Sequence, residues 1–306
     1  MVEPNDSDAV LDRLSPGQRP DERAIGFQRW RSLLFLHWQV PEEELRPLIP
    51  ESLSLDLYDN AAYVGLVLFA MEGVRARWWP ELLSFQFLET NVRTYVHYQG
   101  KPGIYFMSMD ANHRSAVWAA RRGWSLPYHY AKMKMDQQDQ QTNYQLTRAS
   151  SGATHQSQYR IGESLGPSEP NTLEHFLLER YFLFVEHRNR LCSAQVHHVP
   201  YPAHTAQVMQ CQDELLSAAG LENVSGHPQL AHYAPGVDVE IFSLRPGQFG
   251  GTLSWLAADG DDERDDDDTI PWDRGERFGR DSHGNSSTPQ ESEDDSDGDS
   301  EAPPRR

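Results

Sequence analysis

Short runs of apolar and aromatic residues recur along the chain, and these runs predict strands. From Gly26 the sequence GFQRWRSLLFLHWQV is rich in aromatic and branched residues, which favours a strand. The sequence SLSLDLYDNAAYVGLVLFAMEGVRA then predicts an antiparallel hairpin with Asp59 and Asn60 in its turn. Helical patterns are short, as in LEHFLLER and DELLSAAG. Because strands outnumber helices throughout, we expect a mainly β fold with short helices, of the α+β class.

The clearest alternation lies in the segment from Ser84 to Met135. In its first strand, alternate side chains point to opposite faces. One face carries Phe85, Phe87, Glu89, Asn91, Arg93, Tyr95 and His97. The segment therefore predicts a row of polar groups flanked by aromatic residues on a single face.

A return strand, GIYFMSMD, follows a turn at residues 100–103. Asp110 is then expected to be the N-cap of a helix that ends at Gly123. Pro127 forces an extended conformation, so a further strand should begin there. Alternation along that strand places four side chains on one face: Tyr128, Tyr130, Lys132 and Lys134.

The polar row on the first strand is unusual if that face lines an interior. A buried glutamate such as Glu89 must be paired, protonated or in contact with water, because an unpaired buried charge is costly. Glu89 and Arg93 are about 13 Å apart along an extended strand, which is too far for a direct ion pair. Each of the two therefore needs another partner.

Charge is distributed unevenly and suggests three regions. From Asp259 to the end there are 18 acidic residues and 6 arginines, so this segment carries −12 of the net charge of −19. We expect a disordered arm over residues 1–24, a folded domain over 25–247 and a disordered acidic tail over 248–306. The domain lacks clustered basic residues, so neither nucleic acid nor an anionic membrane is an expected partner.

Standard catalytic and metal-binding motifs are absent from the sequence. Two cysteines give no disulfide framework and no cysteine-based zinc site. There is no G-x-S-x-G elbow, no glycine-rich phosphate loop and no histidine pair with metal-ligand spacing. We therefore predict no metal and no cofactor. The acidic N-terminus is unlike a signal peptide, and the apolar runs are too short to span a membrane, so a cytoplasmic location is expected.

Several segments, taken together, resemble a known family. They are WRSLLFLHW, VPEEELRPLIPESLSLD, YVGLVLFAMEGVR, LETNVRTYVHYQGKPGIYFMSMDANHRSAVWAARRGWSLPYHYAKM and YAPGVDVEIFSLRPG. They are similar to the YqjF-like family of uncharacterised proteins, which is placed in the acetoacetate-decarboxylase-like superfamily. The resemblance covers about residues 26–247 and implies an antiparallel β-barrel or cone with an internal pocket. It also leaves open a homo-oligomer.

The same resemblance implies candidate site residues. The pocket arginine of the decarboxylase corresponds to Arg31, and one pocket glutamate corresponds to Glu89. A second glutamate corresponds to Gly65 or Leu66, where no acid stands. The lysine pair that follows a proline in the decarboxylase corresponds to Tyr128 and His129, so the Schiff-base nucleophile is missing.

We therefore expect a protein that binds a small, organic-acid-like molecule, or an enzyme of unknown reaction. The substrate-binding candidates are Arg31, Glu89, Asn91, Arg93 and Tyr128. The catalytic candidates are Glu89, Tyr128, His129 and Lys132, for acid and base chemistry.

Two alternatives remain. The first is a non-catalytic interaction module that acts through the barrel surface and the acidic tail. The second is a lyase, acting on a small carboxylate or carbonyl compound, in which Lys132 or Lys134 supplies the amine. These lysines are one and two β-periods beyond Tyr128, about 7 Å per period, so they would not inherit the position of the missing lysine without a register change.

Overall fold

The structure is a computed structural model that describes residues 11–187 and 190–246. All of these residues belong to one unit, Met1–Gly250. The described strands are β1 (Gly26–Val40), β2 (Ser54–Leu55), β3 (Ala62–Ala76), β4 (Phe85–Tyr98), β5 (Lys101–Ala111), β6 (Tyr128–Gln138), β7 (Gln141–Arg148), β8 (Thr154–Gly166), β9 (Phe182–His187), β10 (Arg190–His197), β11 (Ala203–Asp213), β12 (Leu230–Ile241) and β13 (Arg245–Pro246). The α-helices are α1 (Glu42–Leu45), α2 (Arg114–Trp124), α3 (Leu173–Leu178) and α4 (Leu215–Ala218). The prediction of a mainly β fold with short helices is confirmed.

The strands form one sheet that closes on itself in two circuits. Strands β12, β1, β3, β4 and β5 are consecutive neighbours and form a wall that both circuits share. The first circuit returns from β5 through β6, β7, β8 and β11 to β12. The second returns from β5 through β9 and β10 to β12. Both circuits are possible because two strands each pair with two neighbours along the same edge. Different residues of β5 pair with β6 and with β9, and different residues of β12 pair with β10 and with β11.

The closing contacts are short, so neither circuit is a regular barrel. Strand β12 meets β11 and β10 through two residue pairs each, and β5 meets β9 through two. The pairings of β5 with β6 and with β9 are parallel, whereas the other pairings between the described strands are antiparallel, in keeping with the expected, mainly antiparallel arrangement. The difference arises because α2 and the long connection to β9 are crossovers that return the chain in the same direction.

Both faces of the shared wall are buried, and each faces its own core. One core combines Leu34, Leu66 and Val92 of the wall with residues of β7 and β8. The other combines Phe35 and Val67 of the wall with residues around β10. This arrangement explains why β3 is almost continuously apolar instead of alternating, since a strand buried on both faces has no solvent side.

The helix after β5 begins later than expected. Asp110 is not its N-cap, because β5 continues to Ala111 and Asp110 is buried in an ion pair with Arg148. The N-cap is His113, whose side chain accepts a hydrogen bond from the Ala116 amide. The helix ends at Trp124, and Ser125 takes the left-handed conformation that follows it.

Within residues 11–24, the predicted arm is packed on the domain. Arg13 forms an ion pair with the buried Asp56, and Arg19 forms one with Glu240 at 2.6 Å. Gln195 donates a hydrogen bond to the Pro16 carbonyl oxygen at 2.9 Å. Residues 1–10 and the predicted acidic tail lie outside the described residues.

Gly103 allows β5 and β9 to approach each other closely. A Cβ atom there would lie 2.6 Å from the Phe182 carbonyl oxygen and 2.7 Å from the Phe184 ring. We expect Gly103→Ala to lower the free energy of unfolding by about 1–3 kcal/mol, because the backbones would have to separate. Gly123→Ala is the control, since a Cβ there meets nothing within 4 Å and alanine favours the helix by up to about 1 kcal/mol. Urea unfolding of both variants measures the difference; equal stabilities would contradict the close approach.

Candidate functional site

Glu89 and Tyr128 form a direct hydrogen bond inside the protein. Glu89 lies on β4 between Phe69 of β3 and Ala111 of β5. Tyr128 is the first residue of β6, where it pairs with Met109 of β5. The Tyr128 hydroxyl donates to Oε2 of Glu89 at 2.6 Å, and both side chains are buried. The structure therefore brings together two sequence-predicted candidates that are distant along the chain.

The pKa of Glu89 is raised to near neutral pH. Burial raises the pKa of Glu89 from 4.5 to about 7, although hydrogen bonds from Tyr128 and Asn91 oppose the rise. Burial, together with the neighbouring Glu89 charge, raises the pKa of Tyr128 well above its usual value, so the phenol keeps its proton. A carboxyl group that titrates near neutral pH is suited to accept or donate a proton.

Arg93 is a buried cation without an acidic partner. Its Nη2 donates to the Leu177 carbonyl oxygen at 3.0 Å, and its guanidinium lies 5.5 Å from the centre of the Phe35 ring. In the part of the chain that the structure describes, no carboxylate oxygen lies within 4 Å of it, and its Nε has no hydrogen-bond partner. Arg93 is 6% exposed, so water does not replace the missing partner freely.

Gly65 packs against the Arg93 side chain. It pairs with Arg93 across β3 and β4, and a Cβ there would lie 3.5 Å from Cγ of Arg93 and 3.4 Å from the Tyr95 hydroxyl. The resemblance places a glutamate of the decarboxylase at Gly65 or Leu66. Neither residue carries a carboxylate.

Asn91 lies between Glu89 and Arg93 on the same face of β4. Its side chain is buried, and its amide favours the ionised form of Glu89. Its other end, Oδ1, is buried without a hydrogen-bond partner. The alternation of the strand therefore places an acid, an amide and a cation in one row, as the sequence predicts.

A second group of polar side chains faces this row and was not found from the sequence. The Glu179 carboxylate accepts hydrogen bonds from the Tyr181 hydroxyl at 2.6 Å and from the Tyr201 amide at 2.9 Å. Burial raises the pKa of Glu179, and the positive charge of Arg93 is among the influences that lower it. The alternation VHHVPY directs one of two adjacent histidines inward, but it does not show which strand that histidine would face.

The inward histidine is His198. Its Nδ1 lies 2.8 Å from the Val199 carbonyl oxygen, and its Nε2 is buried without a partner. Its ring packs on Tyr201, with ring centres 4.6 Å apart. Burial lowers the pKa of His198 to about 4, so the ring is neutral at pH 7.

Arg31 makes contacts outside this group. It donates to the carbonyl oxygens of Trp30 and Val237 and forms a 2.5 Å ion pair with Asp238, whose side chain is 77% exposed. The following residue, Ser32, has a φ of 52°, and the pairing of β1 with β3 shifts register at this point. This bulge interrupts the alternation that would otherwise place Arg31 on the face of Leu33.

The remaining candidates on β6 are not part of the buried group. His129 is half-buried beside Asp110 and Arg148, and burial and the Arg148 charge lower its pKa. Lys132 is exposed, and Lys134 pairs with Asp136 at 2.5 Å while its side chain is 68% exposed. Neither lysine therefore lies in a buried, apolar setting.

Among residues 11–187 and 190–246, no group of three or more His, Cys, Asp or Glu side chains is arranged to hold a metal ion. The helices of the same residues are too short or too polar to cross a bilayer. Two surface clefts, one lined partly by Arg19 and Glu240 and one by Asn143 and Arg160, include neither Glu89 nor Arg93. The internal pocket stays a prediction.

Comparison with known proteins identifies the family. Residues 27–238 match the DUF2071 family, described as an uncharacterized conserved protein. The chain belongs to this family. A family relative, the uncharacterized protein YqjF of Bacillus subtilis (strain 168), is 37% identical over 228 residues, which are 74% of this chain and 94% of the relative. The predicted resemblance is confirmed.

Solved structures show which fold the family member adopts. An acetoacetate-decarboxylase-like enzyme from Sphingomonas wittichii RW1 is similar with a TM-score of 0.52 and 12% identity, over 74% of this chain and 94% of the other. The enduracididine biosynthesis enzyme MppR complexed with pyruvate matches with a TM-score of 0.52 and 12% identity, over 76% and 94% of the two chains. An acetoacetate decarboxylase matches with a TM-score of 0.50 and 15% identity, over 80% and 96%. The chain therefore has the acetoacetate-decarboxylase-like fold.

Proposed function

We propose that this protein binds a small organic acid in the second circuit, with Arg93 as the anchor for the carboxylate. The observation that carries the proposal is the buried guanidinium of Arg93, which has no acidic side chain within 4 Å among the described residues. A buried cation costs several kcal/mol unless an anion and good hydrogen bonds compensate for its lost hydration. A bound carboxylate would supply both, in part through the free Nε.

Glu89 and Tyr128 supply the chemistry of the proposed site. With a pKa of about 7, Glu89 can accept or donate a proton at a ligand atom that reaches its end of the row, about 13 Å from Arg93 along the strand. Tyr128 holds the Glu89 carboxyl in place through its 2.6 Å hydrogen bond. A lyase-like reaction on a small carboxylate or carbonyl compound is therefore the first class to test.

Schiff-base chemistry receives no support from these contacts. By the resemblance, the lysine pair of the decarboxylase corresponds to Tyr128 and His129, neither of which can form an imine. Lys132 and Lys134 are exposed, and Lys134 forms an ion pair with Asp136. MppR, a structural neighbour, is complexed with pyruvate, and a small carboxylic acid as ligand is consistent with that neighbour.

Calorimetric titration with small carboxylic acids tests the proposal. We expect wild-type protein to bind at least one short carboxylic acid, and Arg93→Gln to lose about 100-fold in affinity, because a hydrogen bond to a charged group contributes about 1.5–3 kcal/mol. Arg29→Gln is a matched control for net charge, since Arg29 pairs with Glu81 at the surface. Arg31→Gln separates the two arginine candidates. Loss of binding in Arg31→Gln with normal binding in Arg93→Gln would move the site to Arg31 and contradict the proposal.

A further inference from the structure

We propose that the ligand of this site is a short hydroxy acid, with its hydroxyl near the carboxylate. This inference rests on the proposed function, because it takes the Arg93 site as the ligand site and adds the chemistry of the second group. It follows from which buried atoms near Arg93 have no hydrogen-bond partner. Buried polar atoms are almost always paired, so unpaired ones indicate what a ligand brings.

The first unpaired acceptor is Oδ1 of Asn91. Asn91 and Arg93 are alternate residues on one face of β4, about 7 Å apart. The amide nitrogen of Asn91 is engaged by Glu89, since that contact favours the ionised carboxylate. Oδ1 is therefore the free end of the amide, and an oxygen acceptor can be satisfied only by a donor.

The second unpaired acceptor is Nε2 of His198. Its Nδ1 faces the Val199 carbonyl oxygen at 2.8 Å, so Nδ1 carries the proton of the neutral ring. Nε2 then has a lone pair and no hydrogen, and it is buried without a partner. Ring contacts link His198 to Arg93: His198 packs on Tyr201, Tyr201 packs on Phe35 at 5.2 Å, and Phe35 lies below the Arg93 guanidinium.

These atoms together describe the chemistry of one ligand. Arg93 requires an anion, whereas Asn91 and His198 require a hydrogen-bond donor. A hydroxy acid has both groups on a short carbon chain, and its single hydroxyl hydrogen pairs with one of the two acceptors. An oxo acid has no donor and would leave both acceptors unpaired. Sites that form a hydrogen bond to a ligand hydroxyl strongly discriminate against analogues that lack the hydroxyl. An ammonium group would add a second positive charge near Arg93, which has no acidic partner within 4 Å in the described chain.

Matched ligands of one carbon skeleton test the inference. Lactate, pyruvate and alanine form one set, and their four-carbon and five-carbon homologues form two more. We expect wild-type protein to bind the hydroxy acid of at least one set about 10-fold or more tighter than the oxo and amino acids, measured by calorimetric titration. This comparison needs no variant, so it does not depend on whether a substituted protein folds.

Two variants assign the preference to the two acceptors. His198→Phe keeps an aromatic ring and removes Nε2, and Asn91→Leu keeps a similar volume and removes Oδ1. We expect the ratio of hydroxy-acid to oxo-acid affinity to fall toward one in the variant that removes the acceptor of the hydroxyl hydrogen, while both acids still bind. Arg93→Gln should weaken both acids together.

The outcomes distinguish the inference from the proposed function. If oxo acids or amino acids bind as tightly as hydroxy acids, and Arg93→Gln abolishes that binding, the hydroxy-acid inference is overturned and the carboxylate site stands. If no acid of any set binds, both are overturned, and the unpaired acceptors are satisfied by water only. A hydroxy-acid preference that survives in both His198→Phe and Asn91→Leu would also overturn the inference.

Discussion

Arg93→Met will leave the free energy of unfolding within about 1 kcal/mol of the wild-type value, whereas Arg148→Met will lower it by about 3–5 kcal/mol. Both arginines are buried, Arg93 on β4 and Arg148 on β7. The two variants therefore compare the removal of the same type of side chain from two buried positions. They differ in their partners. Arg148 donates to both oxygens of Asp110 at 2.8 and 2.6 Å and to the Ser108 hydroxyl, so its loss leaves Asp110 as an unpaired buried charge.

The loss of Arg93 breaks no ion pair within 4 Å among the described residues, although the Arg93 charge is one of the influences that lower the pKa of Glu179. The acceptor of Arg93, the Leu177 carbonyl oxygen, still receives a hydrogen bond from the Tyr95 hydroxyl at 3.0 Å. The variant also avoids the cost of burying a guanidinium without an anion, which offsets the lost ring contacts with Phe35 and Tyr95. A stable protein that no longer binds the organic acid would indicate that Arg93 is retained for binding and not for folding.

Urea unfolding of the two methionine variants at pH 7, without ligand, measures this contrast. The change in the free energy of unfolding is calculated from the shift in the urea concentration at the midpoint of unfolding, provided that the dependence of the free energy on urea concentration is unchanged. If Arg93→Met lowered the free energy of unfolding as much as Arg148→Met does, the contacts of Arg93 would stabilise the fold without a bound anion. The proposal of an anion site at Arg93 would then lose its main support.

Glu89→Gln will change how stability depends on pH. The folded protein raises the pKa of Glu89 from 4.5 to about 7, so between these values the folded state holds a proton that the unfolded state has lost. Stability therefore falls as pH rises through this window, because the folded state must retain the proton or bury a charge. The accumulated cost above pH 7 is on the order of 3 kcal/mol.

The glutamine variant has no proton to lose and avoids this cost. We expect Glu89→Gln and wild-type protein to have similar stability near pH 4.5, and the variant to be more stable by roughly 3 kcal/mol at pH 8. Glu179 also has a raised pKa, but it is present in both proteins and cancels in the difference. Unfolding in urea across pH 4.5–8 gives the difference curve. A difference that stays constant with pH would show that Glu89 titrates normally and is not suited to proton transfer near neutral pH.

The sequence could predict those features of the site that depend on neighbouring residues in the chain, but not those that depend on contacts between distant residues. The row of Glu89, Asn91 and Arg93 follows from alternation along one strand, and alternation is a local property of the backbone. The meeting of Glu89 with Tyr128 was suggested by family resemblance, and the structure joins the two side chains at 2.6 Å. Asp110 shows the opposite case, since a good N-cap residue became the buried partner of Arg148, which lies on β7.

The sequence by itself determined that this is a mainly β protein of the acetoacetate-decarboxylase-like fold, with an acid, an amide and a cation on one face of a strand. Only the tertiary structure decided which groups that face would meet. The bulge at Ser32 and the approach of Glu179 and His198 depend on how distant strands pair. Strand pairing depends on contacts between residues far apart in the chain, whereas alternation depends on neighbours. For that reason the row containing Arg93 could be predicted from the sequence, whereas the absence of an acidic side chain within 4 Å of Arg93 among the described residues could not.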